Sequence, residues 1–241
     1  MKNFVTLLLF AVLGSSLFAN DLSIESILGD KYASRAQWGQ IHVPYYQHVE
    51  NKKMETEGSK EIASFHHTVS GSDEAVDHCI PVEKELGIVT GIERSFINSR
   101  GFSDIGYHYM ISQTGKVYEG RPCRFQGAHT GGLNSRNAGI AFIGCFDSKG
   151  CPEEGYQVTK VTEEMIESAA KLLAFLSISE GFTVDESSVV ARSEYDIKKK
   201  GSTNFKYSPG DLVKEKLPTI ISRAQTEVRK LVRAEVAKEE L

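Results

Sequence analysis

Ala138-Gly139-Ile140-Ala141-Phe142-Ile143-Gly144-Cys145 is a short apolar run bounded by glycine and turn-forming residues, the pattern of a buried central strand. Segments on either side supply its partners. Tyr107–Gln113 and Lys116–Glu119 are β-rich runs separated by Thr114-Gly115, which predicts a hairpin. Glu61–His67 (EIASFHH) reads as a further strand ending in two histidines. Side chains alternate along a strand, so His66 and His67 should point to opposite faces, with one of the two looking into any given site. Ser188–Ala191 is another short strand candidate. Glu83–Asn98 reads as a helix, although Gly87 and Gly91 each cost about 1 kcal/mol relative to Ala. Thr162 is placed to cap a helix running to about Ser179, with Met165, Ala169, Leu172, Leu173 and Leu176 on one face. Asp211–Leu241 is helical in pattern, with Pro218 in the first turn of its longer part. Strands interleaved with helices predict an α/β fold, a single domain whose central mixed β-sheet is flanked by helices, with an extra C-terminal helix.

The boundaries follow from composition. Residues 1–19 carry Lys2, an apolar run from Phe4 to Leu13 and a small residue at Ala19, which reads as a secretory signal cleaved after Ala19. Residues 20–60 are polar and irregular and form an N-terminal extension containing the string Ser34-Arg35-Ala36-Gln37-Trp38-Gly39. The main domain is expected over residues 61–213 and a helical extension over 214–241. Leu217, Ile221, Ala224, Val228 and Leu231 recur at helical spacing in that extension. Two readings stay open for it, a helix docked on the domain and a helix that meets a protein partner.

With 28 Lys+Arg against 32 Asp+Glu the net charge is -4, which argues against a nucleic-acid partner, since phosphate binding needs a concentrated positive field. No segment reaches the roughly 20 apolar residues of a membrane span. The four cysteines, Cys79, Cys123, Cys145 and Cys151, all follow the signal, and an even count in an oxidising compartment favours disulfides. Cys145 and Cys151 flank a turn-like segment and should bridge each other, leaving Cys79 to pair with Cys123.

Six strings taken in order carry a resemblance. They are Ser34–Gly39; Phe65-His66-His67-Thr68-Val69; Gly101–Tyr109 with Gly115–Arg121; Gly127–Thr130; Asn134-Ser135-Arg136 leading into Ile140–Gly144; and Ser208-Pro209-Gly210. Together the span from Ser34 to Val213 resembles the family of peptidoglycan recognition proteins and type 2 N-acetylmuramoyl-L-alanine amidases. The resemblance implies a mixed sheet flanked by helices, with a groove for the junction of glycan and stem peptide. It also implies a zinc ion on two His and one Cys or Asp, activating a water that cleaves the amide between the lactyl group of N-acetylmuramic acid and L-alanine. A three-ligand zinc leaves one position open and lowers the pKa of bound water to about 7.

Position by position, the resemblance makes His66 the first zinc ligand, Tyr107 the oxyanion-stabilising tyrosine and Lys206 the lysine of the phage branch. The second ligand position holds Arg192 and the third holds Ser208. All seven histidines precede residue 130 and no cysteine follows Cys151, so a shifted alignment does not supply the missing donors. A guanidinium stays protonated and repels a cation. Neither a catalytic group nor a bound metal is therefore expected, with zinc as cofactor only under an alternative in which His66 acts with Glu194 or Asp196.

Ligand contacts are expected from His66, Tyr107, His129, Thr130, Asn134, Arg136, Arg192 and Lys206. For Arg192, ligand binding and pairing with Glu194 or Asp196 both stay open. The reading is an exported, secreted or periplasmic protein that binds peptidoglycan or muropeptides without hydrolysing them. Its competitors are an amidase with an atypical metal site, and a scaffold that meets a protein partner through the C-terminal helix.

Overall fold

A computed structural model describes residues 22–41, 58–151, 154–195 and 208–239. Its sheet contains β1 (Tyr32–Ala33), β2 (Ile62–His67), β3 (Tyr109–Ile111), β4 (Val117–Glu119), β5 (Asn137–Phe142) and β6 (Val189–Ala191), in the spatial order β1-β4-β3-β5-β2-β6. β3 and β4 pair antiparallel, as their short connection allows, and the other neighbours pair parallel. Gly115 closes the hairpin at φ 78°, and a Cβ there would lie 2.8 Å from the Glu164 carbonyl. This position therefore needs glycine for both its backbone angle and its space.

The helices are α1 (Ile24–Leu28), α2 (Arg35–Trp38), α3 (Glu85–Arg94), α4 (Glu163–Glu180), α5 (Asp211–Lys214) and α6 (Leu217–Glu239). The Thr162 hydroxyl accepts the Met165 N–H at the start of α4, and Gly181 in the left-handed region ends it. α3 carries its two glycines and continues into a π-type turn over Ser95–Ser99. Pro218 is the second residue of α6, where its missing N–H costs no intrahelical bond.

The two sheet faces are covered differently. On one face Phe65, Ile140 and Phe142 pack with Leu172, Leu173 and Leu176 of α4 and with Ile220 and Ala224 of α6. On the other, α3 supplies Val89 and Ile92, which with Phe96 cover Met110, Tyr118 and Ala141. α6 thus docks on the domain through Leu217, Ile220, Ile221 and Ala224, while further along Val236 is 40% exposed.

The segment expected to be irregular, residues 20–60, contributes ordered elements where it is described. The Ser23 hydroxyl accepts the Ser26 N–H and caps α1, and Gln37 Oε1 accepts the Ser34 N–H at the start of α2. β1 pairs with β4, the Trp38 indole N–H donates to the Glu119 carbonyl, and Arg35 reaches the buried carboxylates of Glu93 and Asp104. Each element spans only two to five residues, too short to show a period, and tertiary partners hold it in place.

Cys145 and Cys151 form a disulfide. The second expected bridge is corrected: Cys79 and Cys123 are free thiols. Cys123 packs against the core under α4, whereas Cys79 bridges Val76 beside Ile80, which belongs to the core under α3. The sheet lies between them.

Candidate functional site

β2, β5 and β6 run parallel, so their C-terminal ends meet at one edge of the sheet, the place where open α/β sheets build sites. The register sets Phe65 beside both Ile140 and Ala191, which brings His66, the next residue of β2, alongside Arg192. A groove of about 610 Å³ opens there. His66, Tyr107, His129, Arg192, His67, Asp147, Lys149 and Ser208 line it, with Phe96, Arg100 and Phe102 adding aromatic and cationic surface.

His66 and His67 both line this groove, against the expectation that only one would. His67 is the last residue of β2, and the groove wraps over the end of the strand, where alternation no longer separates the two sides. The His67 Nδ1 accepts the Phe146 N–H at 3.3 Å, and its own backbone N–H donates to the Ser208 hydroxyl at 3.1 Å. Its ring therefore also fixes the chain after β5. Gly210 passes so close to this chain that a Cβ would lie 2.1 Å from the Phe146 carbonyl, which explains the glycine in Ser208-Pro209-Gly210.

Beneath the groove several polar side chains partner one another. Ser64 Oγ lies 3.0 Å from His66 Nε2, and Thr130 Oγ1 lies 3.0 Å from His129 Nδ1 and 3.4 Å from His66 Nε2. The His129 Nε2–H donates to the Asn137 carbonyl, and Arg192 Nε–H donates to the His129 carbonyl at 2.9 Å. Behind them His108 donates to the Phe125 carbonyl and accepts the Gly139 N–H. Burial pushes all these imidazoles below the ordinary histidine range: His67 to about 4, His129 to about 3, and His66 and His108 well below it, with neighbouring cations adding to the effect on His66 and His108. They are neutral at physiological pH. The Tyr107 phenol is raised by burial, against the pull of Arg100 and Arg192.

The positions that the resemblance assigns to zinc are His66, Arg192 and Ser208, and all three line the groove. One imidazole, a permanent cation and a neutral hydroxyl do not make a zinc donor set. His108 and His129 lie nearby, but their ring nitrogens are engaged by backbone groups and Thr130. Among the described residues no group of three His, Cys, Asp or Glu is arranged to hold a metal ion. Asp196, named in the alternative metal set, lies outside the described residues, as does Lys206.

The remaining expected contacts sort by depth. Thr130 is fully buried under the groove floor. Asn134 turns inward, its Oδ1 accepting the N–H groups of His129 at 3.1 Å and Thr130 at 2.6 Å, so it positions the loop that carries them. Arg136 precedes β5, at the opposite end of that strand from the groove, and pairs with Glu61 at 2.9 Å. Neither Asn134 nor Arg136 is among the described residues that line the groove. Arg100, Phe102, Asp147 and Lys149 line the groove without having been singled out in the sequence. Arg100 and Phe102 adjoin the Gly101–Tyr109 string, and Lys149 lies within the Cys145–Cys151 loop, so proximity to the motifs was the available signal.

Residues 59–211 match the N-acetylmuramoyl-L-alanine amidase family. The chain belongs to that family. Within it, this amidase-family protein is similar to peptidoglycan recognition proteins. It is 32% identical over 129 residues to peptidoglycan-recognition protein SA of Drosophila melanogaster, covering 54% of this chain and 55% of the relative. With protein SD of the same organism it shares 44% identity over 75 residues, covering 31% of this chain and 39% of the relative. The alignments thus span less than two thirds of these relatives. The fold matches that of the ectodomain complex of peptidoglycan recognition proteins LCa and LCx with bound tracheal cytotoxin, at TM-score 0.55 and 23% identity, covering 75% of this chain and 90% of that one. No helix among the described residues of this amidase-family chain is long and apolar enough to cross a membrane.

Proposed function

We propose that this protein is an exported binder of peptidoglycan fragments, muropeptides or stem peptides, that does not hydrolyse them. The observation that carries this reading is the groove floor, where His66 is flanked by Arg192 and Ser208 instead of a second imidazole and a thiolate or carboxylate. Neither replacement can help ionise a water, and the neighbouring imidazoles are weak bases held neutral by burial. What remains is a groove with aromatic walls, neutral polar groups, one carboxylate (Asp147) and the cations Arg100, Lys149 and Arg192, suited to holding an amphipathic peptide–sugar ligand with anionic groups. Export is supported by the signal-like residues 1–19 and by the Cys145–Cys151 disulfide, a bond that persists in oxidising compartments.

The test is incubation of the purified protein with a muramyl peptide and zinc, followed by mass spectrometry, alongside calorimetric titration of the same compound. The expected result is measurable binding with the muramyl peptide intact. Release of free stem peptide that a chelator blocks would overturn the non-hydrolytic reading.

A further inference from the structure

Among the described residues, three other than glycine have positive φ: Val69 at 61°, Asp77 at 49° and His78 at 65°. In the left-handed region Cβ crowds the following carbonyl, and a side chain branched at Cβ is crowded most. Val69 is the one branched residue of the three and the one that lines the groove. Its backbone is held on both sides. The Val69 N–H donates to the Gly144 carbonyl at 2.9 Å, and the Val69 carbonyl accepts the Ser72 N–H at 3.2 Å and the Ser72 hydroxyl at 2.8 Å. Just before it, the Thr68 N–H donates to the Phe142 carbonyl at 3.0 Å, and the Thr68 hydroxyl donates to the Ser70 carbonyl and accepts the Gly144 N–H, each at 3.2 Å.

All of these bonds use only backbone atoms of residue 69, so a glycine there would make the same bonds without strain. A strained conformation persists where its surroundings impose it, and such residues gather at ligand contacts. What valine adds is an isopropyl group, half-buried at the groove wall. Among the described residues that line the groove, Val69 and Ala128 are the only aliphatic ones; the others are histidines, aromatics, charged residues, a serine and a glycine.

We infer that Val69 is a specificity-determining residue, whose isopropyl group packs against a methyl group of the bound fragment. Alkyl groups that meet remove apolar area from water and need no polar partner, so this contact discriminates independently of the groove's charges. A muramyl peptide carries two such methyls at its sugar–peptide junction, that of the lactyl group and that of the first alanine. The strain at residue 69 is then the cost of placing an aliphatic side chain on an otherwise polar and aromatic wall. This inference rests on the groove being the peptidoglycan-fragment site, and it adds the feature by which similar fragments are told apart.

The experiment titrates three probes calorimetrically into the full protein: a muramyl tetrapeptide, its counterpart lacking the lactyl methyl, and its counterpart with glycine in place of the first alanine. The wild type should bind the parent at least about fourfold more tightly than one of the two truncated probes, which identifies the methyl that is read. In Val69→Gly that ratio should fall to near one. Val69→Asn tolerates the left-handed region but presents a polar amide; it should lose the ratio too, which separates loss of the isopropyl group from gain of backbone freedom. Because each ratio is taken on one variant, a change in the folded fraction cancels. Urea unfolding supplies a readout that a valine held only for packing would not give: Val69→Gly should unfold at an unchanged or higher midpoint, since strain is relieved. A wild-type ratio of one for both truncated probes, an unchanged ratio in either variant, or a clearly lower midpoint in Val69→Gly would overturn the inference while leaving the peptidoglycan reading intact. Failure of the wild type to bind the parent probe would overturn that reading itself, and the inference with it.

Discussion

The face of the sheet under α4 and α6 is built from Phe65, Ile140, Phe142 and the leucines of α4, all fully buried and all apolar. The opposite side of the same strands β2 and β5 carries Ser64, His66 and Gly139, with His129 and Thr130 laid across them. One backbone thus presents two environments one residue out of phase. On the first, stability comes from area removed from water and from close packing. On the second, Ser64, His66, His129 and Thr130 are partnered by one another and by backbone carbonyls, while the buried Asn137 carboxamide has no hydrogen-bond partner among the described residues. The packed side can lose a contact only at the cost of a cavity, whereas the groove side has been arranged to stay open at its top.

The largest expected effect tests the packed side. Phe142 is fully buried, with the Phe65 ring 5.6 Å and the Phe146 ring 6.0 Å from it. Phe142→Ala should lower unfolding free energy by about 3–5 kcal/mol in urea titration. A loss below about 1 kcal/mol would mean that this face is not the main source of stability.

The groove side should reveal itself through pH. His67 and His129 are lowered to about 4 and about 3, chiefly by burial, from an ordinary value of 6.5. Between 6.5 and those values the unfolded chain binds more protons than the folded one, so stability falls as pH falls. Each group contributes a slope of about 1.4 kcal/mol per pH unit, and neither contributes above pH 6.5. The urea midpoint should therefore be flat from pH 8 to 7 and drop from pH 6 to 5, and His129→Gln should make that drop shallower. A midpoint that does not move in this range would show the floor imidazoles to be solvated. The smallest effect belongs to the far end of α6, where Val236 is 40% exposed. Val236→Lys should change stability by less than about 0.5 kcal/mol, sharpening the contrast with Phe142 by showing where the packed face ends.

Much of the fold was legible because periodicity survives in long elements. The apolar run before Cys145, the Thr114-Gly115 hairpin, the Thr162 cap and the face of α4 all appear where local chemistry predicts them. The elements between Ile24 and Trp38 were not legible, since they are too short for a period and depend on β4, Glu93 and Asp104 for support. In the site, motif order led to His66, Tyr107, His129 and Arg192. Arg100, Phe102, Asp147 and Lys149 were missed because loop residues carry no local sign of which cavity they border.

The sequence by itself determined the family, the α/β class and the chemistry available at residues 192 and 208, since residue identity alone makes one a fixed cation and the other a neutral hydroxyl. Tertiary structure decided the rest. It put both His66 and His67 into one groove, turned Asn134 inward, carried Arg136 to the far end of its strand, and separated Cys79 from Cys123 by the thickness of the sheet. The physical reason is that a residue's chemistry is local, whereas its neighbours are set by strand register and by which side of the sheet each loop crosses.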